Sequence, residues 1–314
     1  MRGVRRRVKA MSEYSQETAN PSTAGDDGTQ AAEDRQWVLL DDPLPGVRRV
    51  TFNRADKRNS LIHPLRGAIL GALRDADDDD CVKVSIIRGD GPSFSAGYDL
   101  AGGNADYELP FFTAQGEGQW PRHVTEGWMS IWDLAKPVIA QVHGYCLAGG
   151  SELATCCDLV YVAEDAQMGY PATRFGVPDM HFHAWFMGMR KAMEMMITGD
   201  SVSGLEAVEY GWANKAFPAE DLSAEVLKIA ERIAQTPTDV VQLNKRVVHR
   251  QMEVMGLRTG IRAGTELCAL GVHSESMKRF IGNIKERGLT AALSERDEPY
   301  DDYRTAAEQP KVAE

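Results

Sequence analysis

Short β-branched runs alternate with helical spacing through the first two thirds of this chain, and that alternation restricts the fold more than any other feature. Trp37-Val38-Leu39-Leu40 and Val47 to Phe52 read as two strands around the turn residues Asp41 to Gly46. Leu65, Ile69, Leu73 and Ala76 then stand three and four apart and predict a helix over 64–77. Val82 to Ile87 reads as a third strand. A helix over 123–134 precedes the apolar strand Val138 to Val142, and helical spacing from Ser151 to Cys157 leads into the strand Leu159 to Ala163. Strands joined through helices pair in parallel and are covered on both faces. The fold class expected is therefore α/β with a largely parallel, buried sheet.

After about Pro218 the periodicity becomes all-helical, over 224–235, 240–255 and 260–280, with Pro237 between the first two. Residues 1–34 are rich in Ser, Thr, Gly, Asp, Glu and Gln and have almost nothing to bury, so a disordered leader is expected there. The division expected is a leader over 1–34, an α/β core over 35–218, and a helical region with an acidic tail over 219–314.

Hydrophobic residues make up 43% of the 314, enough for a sizeable core. Thirty-five Lys and Arg against 46 Asp and Glu give a net charge of −11, which argues against a nucleic-acid partner or an anionic membrane surface. No stretch of 18 apolar residues offers a transmembrane helix. The basic start MRGVRRRVK lacks the apolar region of a secretory signal. Cys81, Cys146, Cys156, Cys157 and Cys268 are odd in number and form neither a CxxC nor a metal-type spacing, so reduced thiols, no metal and a cytoplasmic location are expected.

Two glycine-containing turns follow strands: Phe94-Ser95-Ala96-Gly97-Tyr98-Asp99-Leu100, and His143 to Leu153 with Ala148-Gly149-Gly150 inside it. Glycine lets backbone approach a ligand, and a helix start presents N–H groups to negative charge. If the turns face each other, two N–H groups can hold one developing oxyanion. Tight packing alone would also explain such glycines.

These residues carry a resemblance. Asn53 to Leu61, Phe94 to Leu100, and Lys136-Pro137-Val138-Ile139-Ala140 running into Gly144 to Leu153 resemble the enoyl-CoA hydratase/isomerase (crotonase) family. Cys157-Asp158-Leu159, Ala163 to Ala166, Ile197-Thr198-Gly199 and Gly211 to Asn214 continue it in order. The resemblance implies a crotonase-like spiral of ββα units, a helical C-terminal region that assembles a homotrimer or a dimer of trimers, and acyl-CoA as substrate, with coenzyme A part of the substrate and no separate cofactor. It places the oxyanion donors at Tyr98 and Gly149, and a catalytic carboxylate at Glu152. Arg58, Ser60, Ala96, Asp99, Leu100, Gly150, Pro171 and Ala172 would lie along the substrate and coenzyme A path.

The pattern also breaks. Hydratases of the family carry a second Glu where Gly169-Tyr170-Pro171-Ala172-Thr173 has Ala172, and a methyl group cannot move a proton. Asp179, His181 or His183 would then supply the missing acid or base, Asp179 resembling the Asp of relatives that hydrolyse thioesters. Phe111, Phe112, Trp120, Trp128 and Trp132 would either line a bulky acyl pocket or pack their loop onto the core or a neighbouring subunit. Enoyl-CoA hydration is the leading expectation, thioester or C–C bond hydrolysis through Asp179 the second, and a non-catalytic coenzyme A-binding trimer the third.

Overall fold

The computed structural model describes residues 35–101, 107–176 and 180–301; the leader expected over 1–34 and the candidate Asp179 lie outside them. The described chain begins as a hairpin, in which β1 (Val38–Leu44) pairs antiparallel with β2 (Val47–Phe52). The remaining pairings of that sheet are parallel. β2 lies beside β3 (Val84–Gly89), then come β4 (Val138–Val142), β6 (Leu159–Ala163) and β9 (Lys215–Phe217). A smaller sheet holds β5 (Tyr145–Leu147), β7 (Gln167–Gly169) and β8 (Val202–Ser203). Successive strands thus alternate between sheets before a helix closes the unit: β4 belongs to the large sheet and β5 to the small one, and β6 and β7 repeat the step.

The helices follow the same logic. α1 (His63–Asp78) carries Pro64 in its first turn, where a missing N–H costs nothing, and buries Leu65, Ile69, Leu70, Leu73 and Ala76 against the sheet. The same buried face includes Arg66. α2 (Gln119–Trp132) starts four residues earlier than its spacing suggested. α3 (Gly149–Thr155) follows β5 directly. Short helices α4 (His183–Met187), α5 (Met189–Thr198) and α6 (Gly204–Glu209) fill the path to β9.

Five more helices complete the described chain: α7 (Leu222–Gln235), α8 (Thr238–Val254), α9 (Leu257–Gly271), α10 (Glu275–Arg287) and α11 (Leu289–Asp297). The single helix expected over 260–280 is two, because Ser274 accepts from the Met277 N–H at 3.2 Å and caps a new start. α8 is tied to the core by charge. Asp158, at the head of β6, accepts from Lys245 Nζ at 2.9 Å, from the Val138 N–H at 2.7 Å, and lies 2.9 Å from His249 Nε2. A largely buried carboxylate with two such donors is compensated, and removal of one partner strands the others.

Candidate active site

The two glycine turns are brought together by backbone pairing. The segment after β3 runs beside β5, with Ser95 N–H donating to Tyr145 O at 2.9 Å and Leu147 N–H to Ser95 O at 3.0 Å. Gly97 has a φ of 95°, and a Cβ there would stand 2.8 Å from Leu147 O. A Cβ on Gly149 would stand 2.5 Å from the Tyr98 ring, and one on Gly150 would stand 2.6 Å from Ser95 O. The approach is thus possible only where side chains are missing. Gly149 opens α3, and a helix start leaves its first N–H groups without intrahelical acceptors. Ala148, just before it, sits at φ 46° and ψ −119°, a conformation that non-glycine residues adopt at a cost of about 1–3 kcal/mol and that clusters at functional sites.

Glu152 lies one turn into α3 and is fully buried. Its Oε1 accepts from the Met180 N–H at 2.8 Å and from the Tyr170 hydroxyl, and its Oε2 accepts from the Tyr98 hydroxyl. The Tyr98 hydroxyl in turn accepts from Trp128 Nε1 at 3.0 Å. Three donors on two oxygens is the environment of an acceptor-only carboxylate. Sequence reasoning singled out Tyr98 for its backbone N–H and missed its phenol. It missed Tyr170 altogether. Tyr170 precedes Pro171 and Ala172 in the stretch that lacks the family's second Glu, so a hydroxyl reaches Glu152 from that stretch. Ala172 itself is half-buried in a 3-10 turn over Pro171–Arg174.

The histidines considered as substitutes are placed differently. His181 packs on α9, where a Cβ at Gly264 would stand 2.4 Å from its ring. His183 is buried, stacked on Phe182 at 4.3 Å between ring centres and set edge-on to Tyr170 at 5.4 Å. Burial, with His181 as the lesser cause, pushes its pKa down to about 3. Neither ring nitrogen meets a hydrogen-bond partner among the described residues. His183 is thus a buried, neutral ring packed among Phe182, Tyr170 and Trp212.

A second polar cluster adjoins the first through Tyr98. Arg66 is fully buried, with Nη1 3.1 Å from His123 Nε2. Its Cζ lies 4.9 Å from the centre of the Trp128 ring and 5.8 Å from those of Tyr98 and Trp120. His63 and His123 complete the box, their rings 5.5 Å apart. Burial and then the Arg66 charge push His63 down to about 4 and His123 to about 3, so both are neutral near pH 7. Trp120 and Trp128, expected in an aromatic acyl pocket, are walls of this box. Phe112 is 89% exposed, and Trp132 stacks on His249 at 3.8 Å, so neither belongs to it.

The profile described as enoyl-CoA hydratase/isomerase matches residues 44–302. The chain belongs to that family. A zebrafish (Danio rerio) protein named enoyl-CoA hydratase domain-containing protein 3, mitochondrial, is 32% identical over 228 residues, covering 70% of this chain and 75% of the relative. The solved enoyl-CoA hydratase of Mycobacterium smegmatis superposes with a TM-score of 0.78 at 28% identity, over 87% of this chain and 97% of the other. An enoyl-CoA hydratase/isomerase from Xanthobacter autotrophicus Py2 gives 0.76 at 31%, over 85% and 99%. The protein is thus an enzyme of the crotonase family with its α/β fold and helical C-terminal region, and that family acts on acyl-CoA substrates. No helix among the described residues is long and apolar enough to cross a membrane.

In this family member four of the residues expected along the coenzyme A path, Arg58, Ser60, Ala96 and Asp99, lie in one stapled corner. Arg54 Nη1 meets Asp99 Oδ2 at 2.6 Å and Ser60 O at 2.9 Å, and Ser60 Oγ donates to Asp99 at 3.2 Å. Burial opposes the Asp99 charge, but the Ala101 N–H and Arg54 outweigh it and hold that carboxyl below its usual range. Ala96 N–H donates to Arg58 O at 2.9 Å, while the Arg58 guanidinium lies over the Tyr145 ring at 5.4 Å. Leu100 is 37% exposed at the rim. Arg54 was not among the sequence candidates; its signal was only its place in the Asn53 to Leu61 motif.

Proposed function

We propose that this enzyme hydrates a 2-enoyl-CoA thioester, with Glu152 alone as acid and base. The observation that carries the reading is the buried Glu152 carboxylate, held by three donors one helical turn from Gly149. In this reading the thioester oxygen sits between the Tyr98 and Gly149 N–H groups. Glu152 takes a proton from water as the water oxygen bonds to C3, and the C2–C3 π pair moves onto the thioester oxygen as an enolate. The same Glu152 then returns the proton to C2 as the C=O bond re-forms. Preorganised donors at a developing oxyanion are worth about 3–4 kcal/mol each when lost, and a placed acid/base about 10²- to 10⁴-fold in rate.

The Tyr98 ring covers Gly149 and its hydroxyl covers Glu152 Oε2. Substrate entry therefore turns this ring aside, which opens one carboxylate oxygen to water while Tyr170 and Met180 keep the other. Arg58, Ser60, Ala96, Asp99, Leu100, Gly150 and Pro171 would border coenzyme A, with no cofactor apart from the substrate, in a cytoplasmic enzyme. Exposed Leu243, Val247, Met255, Leu267 and Leu270 on and around α8 and α9 support assembly as a homotrimer or a dimer of trimers.

The test follows enoyl chromophore loss and free thiol release in parallel on a panel of 2-enoyl-CoA and 3-oxoacyl-CoA thioesters. Hydration predicts chromophore loss without thiol. Thiol release at an equal rate would replace hydration by hydrolysis.

A further inference from the structure

We propose that Arg174 is a positioning residue for the reaction: it fastens the turn that follows Tyr170 to the end of the helical C-terminal region, so that this region sets where the Tyr170 hydroxyl meets Glu152. This deepens the proposed function and rests on its assignment of Glu152. Tyr170 leads directly into the 3-10 turn Pro171–Arg174, and the Thr173 N–H donates back to Tyr170 O at 3.1 Å. The Phe175 and Gly176 N–H groups both donate to Ala172 O, at 3.2 Å and 2.9 Å. A turn closed by three backbone bonds shifts as a unit, so a grip on its last residue is also a grip on Tyr170.

Arg174 provides that grip. Its side chain is only 1% exposed, and a guanidinium is costly to bury unless its N–H groups are paired. Nη1 donates to Asp297 Oδ1 at 3.1 Å, Nη2 to Asp200 Oδ1 at 3.0 Å, and Nε to Thr198 O at 2.9 Å. The Tyr300 ring lies over the guanidinium, its centre 3.7 Å from Cζ. Asp297 ends α11 and Tyr300 closes the 3-10 turn Glu298–Tyr300 beyond it, so the chain returns across 123 residues to hold this turn. Arg296 fixes Asp297 in its place, with Nε and Nη2 each 2.7 Å from the carboxylate. Phe175 stacks on Phe280 of α10 at 4.2 Å between ring centres. The end of α5 closes in as well: a Cβ at Gly199 would stand 2.8 Å from Thr173 Oγ1 and 2.9 Å from Arg174 Nε. A shift of about 1 Å in a reacting group can cost about 100-fold in rate, so a latch remote from the chemistry carries catalytic consequences.

The test is a double-mutant cycle of Arg174→Met and Tyr170→Phe. It is read as kcat and KM on the best thioester of the wild type, in whichever channel it uses, chromophore loss or thiol release. Arg174→Met should lower kcat about tenfold, as Tyr170→Phe does, with KM within about twofold. In the Tyr170→Phe background the same substitution should change kcat by less than about twofold, because the hydroxyl it positions is gone. Arg174→Lys keeps the charge but not the fork, and should fall between wild type and Arg174→Met. If Arg174→Met does not fold, Tyr300→Leu at the exposed ring takes its place, with a loss of about threefold that also vanishes without the Tyr170 hydroxyl. Losses that multiply in the double variant would overturn the proposal, since Arg174 would then act by another route than Tyr170. Amide exchange over 173–176 reads the latch without turnover: it should quicken in Arg174→Met and Tyr300→Leu while β3 and β4 keep their rates, and unchanged exchange would overturn the latch. Thiol release with a non-additive cycle supports the latch and overturns hydration. Chromophore loss with multiplying losses overturns the latch and leaves hydration standing. If no thioester turns over, hydration falls and the exchange rates decide the latch.

Discussion

Glu152 and Arg66 are both fully buried, carry opposite charges, and both meet one tyrosine, Tyr98, yet they were written into the chain in different ways. Glu152 stands in the first turn of a helix that begins at a glycine whose added Cβ would meet the Tyr98 ring at 2.5 Å, inside a turn whose backbone touches a second turn. Arg66 stands in the middle of a helical face whose other members are Leu65, Ile69, Leu70 and Leu73. The first charge is positioned by backbone demands, the second by tertiary packing. The contrast separates two kinds of construction: the Glu152 side is built from backbone N–H groups and a carboxylate, and the Arg66 side from packed side chains.

The largest effect should come from the reacting side. Glu152→Gln keeps the size of the group but removes its ability to take a proton, and hydration should fall by about 10²- to 10⁴-fold with the fold intact, read by kcat and by circular dichroism. Full activity in that variant would make Glu152 a packing residue and erase the contrast. Next comes Gly149→Ala. Its Cβ would meet the Tyr98 ring at 2.5 Å, so the ring must leave Glu152 and the box together. The account expects roughly a 100-fold loss in kcat/KM, of the size seen when an oxyanion donor is displaced, and unchanged kinetics would mean that the ring is not where the site needs it.

Smaller changes sharpen the comparison. Tyr170→Phe removes one donor to Glu152 and leaves the Arg66 box untouched, so it should lower kcat about tenfold, the equivalent of about 1.4 kcal/mol, without altering preference between acyl groups. A change in preference would show that the two sides are not separable. The Arg66 side has a pH signature in stability. His63 and His123 are held at about 4 and about 3 by burial and by Arg66, and His183 at about 3 by burial. The unfolded chain binds protons below about pH 6.5 that these folded histidines refuse. Stability should therefore be full above that pH and fall toward pH 4, by up to about 1.4 kcal/mol per pH unit for each histidine. Denaturant melts across that range in wild type and His123→Phe should show a shallower slope in the variant; identical slopes would remove His123 from the account.

The sequence made legible what backbone geometry requires. The alternating pattern gave the parallel sheet, and the glycines of Phe94 to Leu100 and of His143 to Leu153 marked turns that do face each other. The split of the 260–280 helix turned on one serine cap, and the small β5, β7, β8 sheet on strands of two or three residues, too short to carry a period. The hydroxyls of Tyr98 and Tyr170 were illegible because where a phenol ends depends on packing far away in sequence, here across 54 and 18 residues. Arg66 was hidden by its own helix, since a 3.6-residue pattern is read from its apolar members. The link between Arg54 and Asp99 spans 45 residues and leaves no local mark.

The most direct measurement runs the reaction in ¹⁸O-labelled water and locates the label by mass spectrometry. Water addition at C3, with Glu152 moving the proton, predicts one ¹⁸O on a 3-hydroxyacyl group still bound to coenzyme A. Label in the carboxyl group of a released acid, with free coenzyme A beside it, would contradict the account.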